Sequence, residues 1–269
     1  MSRRRRPFVF LLPFLTKRQR FIIAVVALSL GLFATQHLLG KSGVFVSFLL
    51  SFLTVFFLFL SNHQDIKQNF SPFLFVLPFF YSLAFGLFYF LVPARFLTRL
   101  LMTSLYAGGL YSLFLSENIF TVASMRTIAL LSSARTVSFI ITIISYFFLS
   151  NVIFSLNLPA VSEAAIVFSY TFLLTAQSIW SYTFSKLSSF HFIWVFALSS
   201  CLFELSLILW FWPSDPTFIA LFLTGIFYTF VGLSHVWLDK RLFRNILWEY
   251  IWVSVIVFCI LFLFTSWKP

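Results

Sequence analysis

The sequence predicts an all-α protein, a polytopic transmembrane helix bundle of about nine spans with its N-terminus cytoplasmic and its C-terminus outside. Three observations predict it. Apolar residues form 61% and charged residues 9% of the 269-residue chain, and the mean hydropathy is +1.02, so there is too little polar surface for a globule of this size in water. Apolar runs of about 20 residues, enough for a helix to cross a ~30 Å hydrocarbon core, recur along the whole length. Threading these runs in and out puts 14 of the 18 Lys and Arg on one side, the asymmetry expected of cytoplasmic loops.

The first span is placed at Phe21–Leu39, with Gln36 and His37 near its outer end and Ala27 and Gly31 at the four-residue spacing that lets helices approach closely. The second, Val44–Leu60, reads VFVSFLLSFLTVFFLFL and is apolar on every face, which excludes the apolar–polar alternation of a barrel strand. The third covers Pro72–Leu91, with Ser82 and Gly86 at close-packing spacing. The fourth, Phe96–Leu115, carries Arg99 three residues in from its outer end and the spaced set Ser104, Gly108 and Ser112. Gly109 beside Gly108 leaves room for a bend there. The fifth, Thr136–Leu156, contains Asn151, and the sixth, Ala164–Phe184, contains Gln177, which reads as packing glue. The seventh, Phe192–Trp212, contains Glu204. The eighth, Thr217–Val236, has Gly225 and Thr229, and the ninth is Ile246–Trp267. Trp210, Trp212, Trp248 and Trp267 fall at span ends, where indole rings settle at the lipid interface.

The connections are short. The longest, residues 1–20 and 116–135, fall below the ~50 residues of a small independent domain, so residues 21–267 read as one helical domain and any chemistry belongs to the bundle or its faces. The opening MSRRRRPFVFLLPFLTKRQR imitates export signals, but no small-residue cleavage site follows. Phe8–Leu15 is too short to span, and it reads as an interfacial segment between two basic clusters. Residues 116–135, SENIFTVASMRTIALLSSAR, approximate one apolar helical face, read as a cytoplasmic amphipathic helix on the membrane surface or an extension of the fifth span. Within it, Arg126 and Arg135 are candidate contacts for phosphate-bearing groups, as are Lys240, Arg241 and Arg244 in DKRLFRN.

The net charge of +11 therefore calls for anionic lipid headgroups at the cytoplasmic face rather than a nucleic-acid partner. No cofactor or metal is expected. His37, His63, His191 and His235 lack ligand spacing, Cys201 and Cys259 read as packing residues, and no Walker A, GxSxG, HExxH or GxGxxG motif occurs. The sequon at Asn69 falls on the cytoplasmic side. The compact loops suit a bacterial cytoplasmic membrane.

One residue stands out. Glu204 lies in SSCLFELSLILWFW, about 12 Å from the outer end of its helix, and a comparable charge at mid-span costs about 2.5–3.5 kcal/mol. With Arg99 as its first partner and Asn151 nearby in depth, it would form the floor of an outward-facing polar cavity, with Arg95 and Glu163 at the rim. A protonated glutamate bonded to a neighbouring helix explains the same residue without a site. Three function classes follow: a permease-like or transport-associated protein, a non-catalytic membrane subunit or scaffold of a cell-envelope complex with a membrane-protein partner, and, third, a membrane-embedded enzyme on a lipid-linked substrate.

Overall fold

A computed structural model of the chain describes residues 16–38, 43–66, 70–93, 95–123, 130–184 and 188–265, without the side chains of 35–38 and 64–66. Among the described residues there are nine α-helices, one short 3-10 helix and no strand. They are α1 (Lys17–Leu38), α2 (Gly43–Ile66), η1 (Pro72–Phe75), α3 (Val76–Leu91), α4 (Phe96–Ala123), α5 (Leu131–Ser155), α6 (Ala160–Thr183), α7 (Ser189–Trp210), α8 (Pro216–Leu238) and α9 (Arg244–Leu263). The protein is an all-α membrane-type helix bundle. Seven helices, α2, η1–α3 and α5 to α9, are long and apolar enough to cross a bilayer. α1 opens on Lys17, Arg18 and Arg20, and α4 is broken by Arg99, Gly108, Gly109 and Glu117, yet both pack into the bundle at full length.

Side-chain contacts fix the order of ends. Arg135 at the start of α5 bonds the end of α6, and Phe190 at the start of α7 lies against Trp237 at the end of α8. At the opposite end Asn151 of α5 reaches Thr217 of α8, and Trp212 after α7 reaches Thr265 after α9. Successive helices therefore run antiparallel, as short connections require. One end gathers Lys17, Arg18, Arg20, Arg135, Lys240, Arg241 and Arg244, and is called the basic end below.

α3 and α5 form the centre. α3 packs on α2, α4, α5 and α6, and α5 packs on α3, α4, α6 and α8, whereas α9 rests on α8 and α7 on α6 and α8. In lipid there is no hydrophobic gain from joining apolar helices, so small residues, hydroxyls and aromatic rings make the contacts. A Cβ on Gly86 would stand 2.9 Å from Ser47, and one on Gly225 would stand 2.7 Å from Val257, which is how α3 meets α2 and α9 meets α8. Ser82 bonds both Thr54 of α2 and Tyr106 of α4.

Several expectations change. Residues 116–123 continue α4 rather than starting the fifth helix, and Ser116, Glu117, Phe120 and Thr121 are buried inside the bundle rather than lying on a surface. Of the small-residue sets, Ser104 and Gly108 face outward, and a Cβ on Gly108 would meet nothing within 4 Å. Cys201 and Cys259 are exposed, not packed inside. Phe8–Leu15, Lys41, Lys67, Asn69, Arg126, Lys186, Trp267 and Lys268 lie outside the described residues, as do the side chains of Gln36 and His37.

Candidate functional site

The outer-half group does not assemble. Glu204 is exposed on α7. α4, which carries Arg99, packs on α1, α2, α3 and α5, on another side of the bundle from α7. Among the described residues the two make no ion pair. Asn151 is buried and donates from Nδ2 to Thr217 Oγ1 at 3.1 Å, so it serves the α5–α8 contact. The reason is helical phase. The buried residues of α7 are Val195, Ser199, Leu202, Ser206 and Leu209, a seam in alternating steps of four and three, and Glu204 lies off that seam. Glu204→Gln is expected to change stability by less than about 0.5 kcal/mol and to show no coupling to Arg99→Gln in a thermal double-mutant cycle. Coupling larger than that would restore the pair.

Among the cytoplasmic-side candidates, Arg135 is spent on the protein itself. Its Nε donates to Ser181 O at 3.0 Å and its Nη2 to Tyr182 O at 2.9 Å, while Nη1 lies 3.9 Å from Asp239 Oδ1. Ser181 and Tyr182 stand in the last turn of α6, whose carbonyls lack helical donors, and Phe184 after it is left-handed at φ 47°. The guanidinium also lies 4.4 Å from the Tyr182 ring centroid and 5.5 Å from that of Phe184. Next to this clasp His235 stacks on Tyr182 at 4.1 Å and hydrogen-bonds Ser178 at 2.9 Å. Lys240, Arg241 and Arg244 are exposed at the same end.

The group that stands apart is one the sequence reading passed over. Glu117 is 0% exposed, and neither carboxylate oxygen has a partner. It belongs to a seam of fully buried residues on α4, Tyr106, Leu110, Leu113, Glu117 and Phe120, again in steps of four and three. Phe114 beside it meets Phe21 of α1, and Phe120 below it joins a cluster with Leu74 of η1, Ala134 of α5 and Trp180 of α6. Two more orphaned side chains occur at similar depth. Gln177 of α6 is 0% exposed and Asn62 of α2 is 1% exposed, each with both amide atoms unpartnered. Asn62 also leaves helical geometry, at φ −110° and ψ 15°.

These three sit four to six residues before the ends of α2, α4 and α6 at the basic end, hence about 6–9 Å in from it. η1 and α3 stand among those three helices, η1 touching α4 and α6 and α3 packing on all three. Most hydroxyls of this bundle are satisfied by the carbonyl four residues back or by a neighbouring helix, which makes three fully orphaned polar side chains in one layer a departure from the rest. No cluster of His, Cys, Asp and Glu fit for a metal occurs among the described residues. No family model matches the chain, and it has no match among curated proteins or solved structures.

Proposed function

We propose that this integral membrane protein is permease-like or transport-associated and that Glu117 is its working group, a proton- or cation-accepting carboxyl in the cytoplasmic half of the bundle. One observation carries the reading: the carboxyl is fully buried with both oxygens unpartnered. A structural carboxyl would be hydrogen-bonded, because an unpaired buried one costs several kcal/mol. A carboxyl kept unbonded at membrane depth is the form in which an ion or proton path leaves its binding group between occupants. Gln177 and Asn62 supply neutral donors and acceptors in the same layer. Exposed Lys240, Arg241 and Arg244 hold the cytoplasmic face against anionic headgroups.

The test is labelling with a membrane-permeant carbodiimide, read by peptide mass mapping, together with the thermal stability of Glu117→Gln. Glu117 is expected to be labelled, the label to disappear in Glu117→Gln, and the variant to unfold within about 1 kcal/mol of the parent because no hydrogen bond is lost. A loss above about 2 kcal/mol, or no label in the folded parent, overturns the reading.

A second reading, a non-catalytic membrane subunit of a cell-envelope complex, draws on the exposed Glu204. A lipid-facing carboxylate within a span is expensive, and a partner helix that hydrogen-bonds it offsets the cost. Only 28% of the apolar stretch of α7 and 6% of that of α9 is buried within the chain. Cys201 lies three residues before Glu204 and is exposed, so a thiol cross-linker at Cys201 in native membranes tests this face. Capture of one discrete protein supports a partner; the absence of any protein adduct leaves the face to lipid.

A further inference from the structure

The other end of the bundle holds a feature that neither reading uses. Between α1 and α4 an apolar cavity of about 340 Å³ opens to the side, lined by Val25, Ser29 and Phe33 on α1 and by Leu100, Thr103 and Ala107 on α4. Its volume is that of a small-molecule site, about 300–1,000 Å³. From Leu100 to Ala107 it runs about 10 Å along α4. Beyond Leu100, toward the end opposite the basic clusters, α4 and the residue before it carry Arg99 and Arg95, one helical turn apart, with the amide of Arg99 bonded to the carbonyl of Arg95. Arg99 Nε is buried and unpartnered, and neither arginine pairs with an acidic group among the described residues.

Two cations here run against the rest of the chain. The α4 start is the positive end of the helix dipole, where cations are disfavoured. Basic residues are otherwise concentrated at the far end. One turn deeper, Thr103 is also unusual. Ser104, Ser112 and Thr121 of the same helix return their hydroxyls to the carbonyl four residues back, but Thr103 Oγ1 is buried with no partner. Arg99, Thr103 and Ala107 follow one another at four-residue spacing and so share a helix face. Along that face the order is a guanidinium, then a free hydroxyl about 6 Å deeper, then an apolar trough.

We propose that this groove binds one anionic glycerophospholipid from the leaflet opposite the basic end. Arg99, with Arg95 behind it, takes the phosphate; Thr103 donates to an ester carbonyl; one acyl chain lies along the trough between α1 and α4. A bare anion leaves the apolar trough empty, and a zwitterionic lipid brings its own cation to the arginines. A second helix in the groove leaves the arginines unpaired. The anionic lipid satisfies all three parts of the site.

The experiment uses the full-length protein in detergent, with native mass spectrometry during titration with phosphatidylglycerol and with phosphatidylcholine of the same chains. One tightly held equivalent of phosphatidylglycerol is expected, weakened about ten-fold in Arg99→Gln and lost in Ala107→Phe, which fills the trough. It should survive in the combined Lys240→Gln, Arg241→Gln, Arg244→Gln variant, which separates this site from headgroups at the basic end. Equal retention of phosphatidylcholine, an unchanged equivalent in Arg99→Gln, displacement by inorganic phosphate alone, or a dimer abolished by Ala107→Phe each overturns the proposal. If Ala107→Phe does not fold, Ala107→Leu and Arg99→Gln decide the matter, with unaltered melting in lipid-free detergent separating lost binding from lost structure.

Discussion

Arg135→Ala is expected to lower stability by about 3 kcal/mol, the largest loss from any single polar side chain at the basic end. Two charge-assisted hydrogen bonds to Ser181 O and Tyr182 O disappear, each worth about 1.5 kcal/mol or more, and a cation–π contact over Tyr182 goes with them. The Asp239 pair contributes little, because its atoms are 3.9 Å apart and the Asp239 side chain is 42% exposed. Asp239→Asn should therefore cost less than about 1 kcal/mol. Arg135→Lys should recover less than half of the loss, since an ammonium cannot fork to two carbonyls. Thermal unfolding of the three variants checks the order. If Arg135→Ala costs no more than Asp239→Asn, the guanidinium is not the clasp between α5 and α6.

Two adjacent glycines of α4 should respond with opposite sign. A Cβ on Gly109 would collide with Tyr81 Oη and lie 2.9 Å from Tyr81 Cζ. Tyr81 has no room to yield: it is 1% exposed, its ring lies parallel to Tyr106 at 5.6 Å, and its hydroxyl donates to Leu105 O and Tyr106 O. Gly109→Ala is expected to cost about 2–4 kcal/mol through overpacking and displaced hydrogen bonds. Gly108→Ala, with open space at the same depth, should be neutral or gain up to about 1 kcal/mol from helix propensity and reduced unfolded-state entropy. Adding Tyr81→Phe to Gly109→Ala should return part of the loss by removing the colliding oxygen. Equal melting of the two alanine variants would show that Gly109 does not hold α3 against α4.

Where each helix lies was legible in the chain, and which face it buries was not. The third span was expected at Pro72–Leu91 and η1–α3 covers the same residues, while the others agree to within a few residues at most ends. The fourth differs most, running eight residues further, to Ala123. Its extension reads from sequence as a surface amphipathic helix or part of the fifth span because Glu117 interrupts the apolar run, yet Glu117 keeps the phase of the buried seam from Tyr106 through Leu113. Glu204 deceived in the reverse direction. Phe203 and Leu205 flank it in a mostly apolar run that suggests an enclosed carboxylate, but Ser199 and Ser206 mark the packed seam of α7 and Glu204 lies off that seam. The phase of small and hydroxyl residues, not apolarity, carried the usable signal, because apolar side chains suit lipid and bundle interior equally.

The sequence alone determined the all-α class, the approximate positions of the helices and the gathering of cations at one end. These depend on run length and local charge, which are properties of contiguous residues. Only the tertiary structure decided that Glu117 is buried while Glu204 is exposed, that Arg135 is consumed as a clasp, and that Arg99 lies on a helix packed against α1 and away from α7. Those depend on which helices become neighbours. That choice is made by close backbone approach at positions such as Gly86 and Gly225, and by hydroxyl and aromatic contacts between residues far apart in the chain, which no window of consecutive residues contains.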